Sequence, residues 1–187
     1  MVVPGMRPTP SLVREALFSI LGHAVPNRPF IDLFAGTGIN GLEAISRGAS
    51  HATFVERDNR LADAIERYAK TFKVFERATV VRGDVYRWIS RWRPRGDAVN
   101  VYLSPPFADL TERGAEFNQS LATIQLGLPV DSVLTVQLEE GFDLASLPDA
   151  PRWDIRTYGR NLLAFWEPEA TDPASADDDA SNQTLAP

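Results

Sequence analysis

The 187-residue sequence has no cysteine and only two histidines, His23 and His51. Thiolate nucleophiles, disulfides and cysteine-based zinc sites are thereby excluded, and no metal is expected from two imidazoles alone. No stretch approaches the roughly 20 apolar residues that a membrane helix needs, and the N-terminus lacks a charged region followed by an apolar run. A cytoplasmic protein without a membrane partner is expected. Basic residues are absent after Trp166, where Glu167, Glu169, Asp172 and the run Asp177, Asp178, Asp179 stand alone. The formal charge of −6 therefore belongs to this end, since the rest of the chain carries 19 acidic and 19 basic residues. A neutral body neither demands nor forbids nucleic acid, whose phosphates are met by local basic patches.

What is present is enough apolar residue, 44%, to cover one sheet with helices. Thr9 and Pro10 stand where an N-cap and a first helical residue belong, and Leu12, Val13, Ala16, Leu17, Ile20 and Leu21 recur as one buried helical face. From Phe30 onward strands and helices alternate. Strands are predicted at 30–34, 52–56, 79–82, 100–103 and 133–138, and helices at about 39–48, 61–72, 85–92 and 116–124. That alternation implies right-handed crossovers and a parallel sheet. It ends in 153–158 and 162–166, separated only by Gly159, Arg160 and Asn161, which is a hairpin. A parallel sheet closed by an antiparallel hairpin is the seven-stranded, Rossmann-like α/β plan of class I methyltransferases. One domain is expected over 1–166, with 167–187 as an acidic disordered tail.

The stretch Asp32, Leu33, Phe34, Ala35, Gly36, Thr37, Gly38 leads through a strand end and a glycine turn into a helix. Gly36 and Gly38 allow the backbone to approach a ligand, and the helix start presents free N–H groups. Glu56, ending the second strand, can accept both hydroxyls of a ribose. Asp84, after the third strand, can accept from an adenine amino group or cap a helix beginning at Val85. Gly36, Gly38 and Gly41 also satisfy the dinucleotide pattern G-x-G-x-x-G, which leaves nicotinamide or flavin cofactors as the alternative. Asp32 argues against them: a carboxylate there repels a pyrophosphate but suits the ammonium of a methionine moiety. S-adenosylmethionine is the expected cofactor.

After the fourth strand comes Ser104, Pro105, Pro106, Phe107. Two prolines fix the backbone and leave carbonyls that only accept. An exocyclic amino group of a base has two hydrogens to donate. If Ser104 and the Pro105 carbonyl take them, the nitrogen lone pair can face a methyl donor, while Phe107 stacks on the base. The alternative is an ordinary Pro-Pro turn. A further stretch, Arg87, Trp88, Arg91, Trp92, Arg93 and Arg95, mixes cations with aromatics. Its tryptophans stand one helical turn apart, which predicts packing on the sheet with solvated arginines rather than an RNA patch.

These residues, together with Arg7-Pro8-Thr9-Pro10, Val13-Arg14-Glu15-Ala16-Leu17-Phe18, Gly41-Leu42-Glu43-Ala44 and Ser46-Arg47-Gly48-Ala49, resemble the bacterial 16S rRNA guanine-N2 methyltransferases of the RsmD type. The resemblance runs from Arg7 to about Trp166. It implies S-adenosylmethionine as donor and a guanine amino group of the small ribosomal subunit as acceptor, with Arg7, Thr9 and Arg14 holding substrate or the methionine end of the cofactor. The sequence departs from the family at Ser104, where Asp is usual; Ser-Pro-Pro is familiar from cytosine-N4 DNA methyltransferases. The family's basic hairpin ahead of Arg-Pro-Thr is also replaced by Met1 to Met6, which implies either a reduced RNA-gripping surface or a misassigned start codon. The alternatives are an adenine-N6 or cytosine-N4 enzyme on DNA or another RNA, and a methyltransferase-fold RNA-binding protein without turnover. A monomer is expected.

Overall fold

A computed structural model of the chain describes residues 9–94 and 96–169. Seven strands form one sheet: β1 (Phe30–Leu33), β2 (Ala52–Glu56), β3 (Ala78–Arg82), β4 (Asn100–Leu103), β5 (Val133–Glu139), β6 (Asp154–Tyr158) and β7 (Asn161–Trp166). Among the described residues six α-helices accompany them: α1 (Ser11–Leu21), α2 (Ile39–Ser46), α3 (Asn59–Thr71), α4 (Val85–Ile89), α5 (Phe107–Glu112) and α6 (Gly114–Gly127). The strand order is β3-β2-β1-β4-β5-β7-β6, parallel from β3 through β5 and antiparallel at β7 and β6. The winding direction reverses between β1 and β4, so their carboxyl ends diverge into a crevice, as at any topological switch point.

Strand alternation sorts the side chains into two layers. Ile31, Leu33, Val55, Val101 and Leu103 enter a cluster with Tyr86, Ile89, Phe117 and Leu121 of α4 and α6. Phe30 and Tyr102 point the other way, against Val13, Leu17 and Phe18 of α1, while Phe54 meets Leu42, Ile45 and Ile65 of α2 and α3. Asp32 lies between Phe30 and the end of β1 on this second layer, and parallel register sets it opposite Tyr102. That placement governs the site.

Several sequence expectations are corrected. Thr9 does not cap α1: the cap position is Pro10, without a side-chain bond, because the Thr9 hydroxyl turns toward the sheet. The buried stripe of α1 is Val13, Leu17, Phe18 and Leu21, whereas Leu12 and Ile20 are 62% and 43% exposed. Phe18 replaces them because it meets Phe30, with ring centroids 5.9 Å apart. α4 stops at Ile89, short of the expected Trp92. Trp88 and Trp92 nonetheless stack at 5.7 Å and pack on the core, with Arg87, Arg91 and Arg93 exposed and Arg95 outside the described residues. The Pro-Pro-Phe loop runs directly into α5, a helix the sequence reading did not foresee, with Pro106 at its cap position. Of the expected tail, 170–187 lie outside the described residues; Glu167 and Glu169 contact Arg152.

Candidate active site

A crevice of about 1170 Å³ opens at the carboxyl ends of β1, β2, β4 and β5. One wall is the loop after β1. Phe34, Gly36 and Gly38 all have positive φ, at 60°, 56° and 73°, so the backbone coils tightly; Phe34 bears this conformation as a non-glycine residue, with its ring edge-on to Tyr86 at 5.6 Å. Gly38 caps α2 in the left-handed region, and a Cβ there would lie 2.7 Å from Ile65. Having no side chain, Gly38 cannot satisfy the helix start. Asp32 does so from β1, with Oδ2 accepting from the Gly41 amide at 3.0 Å.

Two carboxylates thus tie down the loop from beneath. Glu56, also buried, accepts from the Gly36 amide at 2.7 Å and from the Asp58 amide at 2.8 Å. Asp32 is only 1% exposed and its Oδ1 has no partner. Burial, partly offset by the Gly41 amide and reinforced by the nearby Glu56, raises its pKa from 3.8 to about 8. A cation close to Asp32 would relieve that cost.

Asp84 caps α4 by accepting from the Arg87 amide at 2.9 Å, and its other oxygen pairs with Arg113 at 3.0 Å. Burial pushes its pKa up, but the Arg87 amide and the Arg113 guanidinium outweigh that and hold it below the ordinary carboxylate value. Arg113 lies over the Tyr86 ring at 4.0 Å and also grips Glu116 at 2.7 Å. It ties the start of α6 to the Asp84 corner of the crevice.

The opposite wall is Ser104, Pro105, Pro106 and Phe107, the last 63% exposed at the mouth. Beside Ser104 lies a cluster of neutral polar groups, of which Thr9, Asn40, Gln137 and Asn161 also line the crevice. Gln137 Oε1 accepts from the Tyr102 hydroxyl at 2.5 Å, from Thr9 at 3.1 Å and from Ser104 at 3.5 Å. Asn40 donates to Thr9 at 3.2 Å, and Gln137 Nε2 donates to Asn161 at 3.0 Å. Burial pushes the Tyr102 phenol far above its ordinary pKa, so it stays protonated.

The family model described as Conserved hypothetical protein 95 matches residues 2–167. The chain belongs to this family. Its RsmD-type character agrees with a relative named ribosomal RNA small subunit methyltransferase D, from Escherichia coli (strain K12), which is 36% identical over 105 residues, covering 56% of this chain and 51% of that protein. The chain spans about half the length of the curated relatives it matches. Among solved structures, a hypothetical protein of Thermus thermophilus superposes with a TM-score of 0.71 at 29% identity, covering 89% of this chain and 91% of that one. An RNA methyltransferase from Salinibacter ruber, solved with S-adenosyl-L-homocysteine, shares the fold at a TM-score of 0.58 and 18% identity, over 89% and 97% of the two chains. The fold is that of class I methyltransferases.

In this RsmD-type chain, Phe34, Ala35, Gly36, Thr37, Glu56, Asp84, Thr9 and Ser104 to Phe107 all line the one crevice. Asp32, Gly38 and Arg14 do not: Asp32 is turned beneath α2 by strand alternation, Gly38 is pressed on Ile65, and Arg14 is half-buried on α1 with its Nε unpartnered. Arg7 lies outside the described residues. The sequence reading missed Asn40, Tyr102, Arg113, Gln137 and Asn161. Gln137 did leave a signal, as the one amide within the strand Val-Leu-Thr-Val-Gln-Leu-Glu. Arg113 left none, because its role depends on the packing of α4 against α6. Among the described residues no group of side chains could hold a metal ion, and no helix is long and apolar enough to cross a membrane.

Proposed function

We propose that this chain is an S-adenosylmethionine-dependent methyltransferase that modifies an exocyclic amino group of a nucleobase, guanine N2 in 16S rRNA of the small ribosomal subunit. One observation carries the reading: the glycine loop with Glu56 and the Ser104 to Phe107 loop face each other across a single crevice. Its lining counts Glu56, Asp58, Asp84, Glu139 and Glu140 against Arg57 and Arg160. That balance suits a cationic cofactor and opposes a pyrophosphate. Glu56 retains lone pairs beyond those used by the two amides and can still accept from ribose hydroxyls. Asp84 keeps the same capacity toward an adenine amine.

When bound, S-adenosylmethionine supplies an electrophilic methyl group on a positively charged sulfur. The protein's part is positioning. Ser104 Oγ and the Pro105 carbonyl would accept the two N–H bonds of the base and Phe107 would stack on its face, leaving the nitrogen lone pair to form the new N–C bond as the methyl–sulfur bond breaks and its electron pair stays on sulfur. The resulting ammonium releases its proton to solvent. No strong base is required. The relatives' names support ribosomal RNA as the substrate. A monomer acting in the cytoplasm completes the proposal.

Ser104 in place of the family aspartate favours one further reading, an enzyme for adenine-N6 or cytosine-N4 in DNA or another RNA. A methyl-labelled donor incubated with naked 16S rRNA, isolated small subunits and DNA separates these. Label in guanine of the subunits supports the proposal, label in DNA favours the second reading, and cofactor binding without label anywhere indicates a binding protein.

A further inference from the structure

Ser104 raises a problem that an aspartate would not. A carboxylate only accepts, whereas a hydroxyl has one hydrogen as well as two lone pairs. If that hydrogen pointed into the crevice it could occupy the nitrogen lone pair that must attack the methyl group. From this and the surrounding geometry we infer that Gln137 is a positioning residue that makes Ser104 an obligate acceptor, an assignment that rests on the methyltransferase reading above.

The register explains the pairing. β4 and β5 run in parallel with Leu103 opposite Val136, so the next residues, Ser104 and Gln137, are neighbours. Gln137 Oε1 lies 3.5 Å from Ser104 Oγ, and both residues line the crevice, so the Ser104 hydrogen has an acceptor other than the substrate nitrogen. The amide is held in that sense because Nε2 donates to Asn161 at 3.0 Å while Oε1 takes the Tyr102 hydroxyl at 2.5 Å. A flip would set Oε1 against the Asn161 Oδ1 acceptor and lose that bond, so the Asn161 contact fixes the orientation. Three hydroxyls converge on one carbonyl oxygen, which has two lone pairs. Thr9, however, also sits 3.3 Å from the Tyr102 oxygen and can turn its hydrogen there. The Ser104 contact is long without substrate. It tightens when an amine donates to Ser104, because accepting a hydrogen bond makes a hydroxyl a better donor.

The test compares Gln137→Met with and without Ser104→Asp, using labelled methyl transfer to small subunits. Methionine keeps the length of the side chain and removes the strong acceptor. With Ser104 present, kcat should fall about ten-fold, the scale of one neutral hydrogen bond, while KM for subunits and cofactor affinity move less than about two-fold. In the Ser104→Asp background, where the group at 104 has no hydrogen to misdirect, the same substitution should cost less than about three-fold. An unchanged kcat, or an equal loss in both backgrounds, overturns the assignment and leaves Gln137 a packing residue. Asn161→Ala serves if Gln137→Met melts early: a fall of about three-fold that vanishes with Ser104→Asp supports the assignment, and a fall that persists refutes it. Should the unmodified protein methylate no nucleic acid, the functional reading itself falls and takes this assignment with it.

Discussion

The two walls of the crevice are built on opposite principles. On the β1–β2 side, two buried carboxylates, Asp32 and Glu56, hold backbone amides of Gly36, Gly41 and Asp58. On the β4–β5 side, neutral hydroxyls and amides of Thr9, Asn40, Ser104, Gln137 and Asn161 hold one another around the Tyr102 phenol. The first wall presents the Glu56 carboxylate to the crevice, with Asp32 holding its proton beneath α2 up to pH about 8, and is suited to a cation. The cluster on the second side is built of neutral groups with orientable hydrogens and is suited to sorting donors from acceptors on a base. The difference teaches that binding and chemistry can be perturbed separately, although both walls share one end of one sheet.

The largest expected effect concerns Asp32, beneath the first wall. Asp32 has a folded pKa of about 8 against 3.8 for the free side chain, so the folded state keeps a proton that the unfolded state releases. Its contribution to stability is full below pH about 4 and is lost as pH rises through about 8, with a slope of at most about 1.4 kcal/mol per pH unit. Melting temperature should therefore decline across that window, and Asp32→Asn, which can still accept from Gly41, should flatten the decline. Identical pH profiles would show that Asp32 is ionised without penalty.

Next comes the glycine turn. A Cβ on Gly41 would lie 2.2 Å from a ring atom of Phe54, which is fully buried and has nowhere to move. Gly41→Ala should cost about 3 kcal/mol of stability in chemical denaturation. A loss below about 1 kcal/mol would mean that α2 can shift relative to β2.

Glu56→Ala should weaken S-adenosylmethionine binding by about 1.5 to 3 kcal/mol in calorimetry, the scale of a lost charged hydrogen bond. Turnover at saturating cofactor should change much less. Ser104→Ala inverts that pattern: cofactor affinity stays near normal while turnover falls about ten- to a hundred-fold. If both substitutions moved affinity and turnover alike, the separation of the two walls would fail.

Much of this was legible in the sequence because backbone-dominated features announce themselves locally. The parallel order, the hairpin around Gly159, the glycine turn and the Pro-Pro loop all follow from residues close together in the chain. The second wall was not legible, since Thr9, Tyr102 and Gln137 meet only through the pairing of β4 with β5 and the approach of the segment before α1 to them. Asp32 shows the limit within a single strand. Its residue type suggested a contact with a cofactor ammonium, but alternation along β1 sends it beneath α2, out of the crevice lining. Thr9 misled in the opposite sense, looking like a helix cap beside Pro10 while its hydroxyl serves the polar cluster.

The most direct test of the whole account is nucleoside mass spectrometry of small subunits incubated with the protein and S-adenosylmethionine carrying a heavy methyl group. Heavy N2-methylguanosine is expected, formed by the unmodified protein and reduced at least about ten-fold by Ser104→Ala. Heavy methyl found only in cytosine or adenine, or none in any base although the cofactor binds, would contradict it.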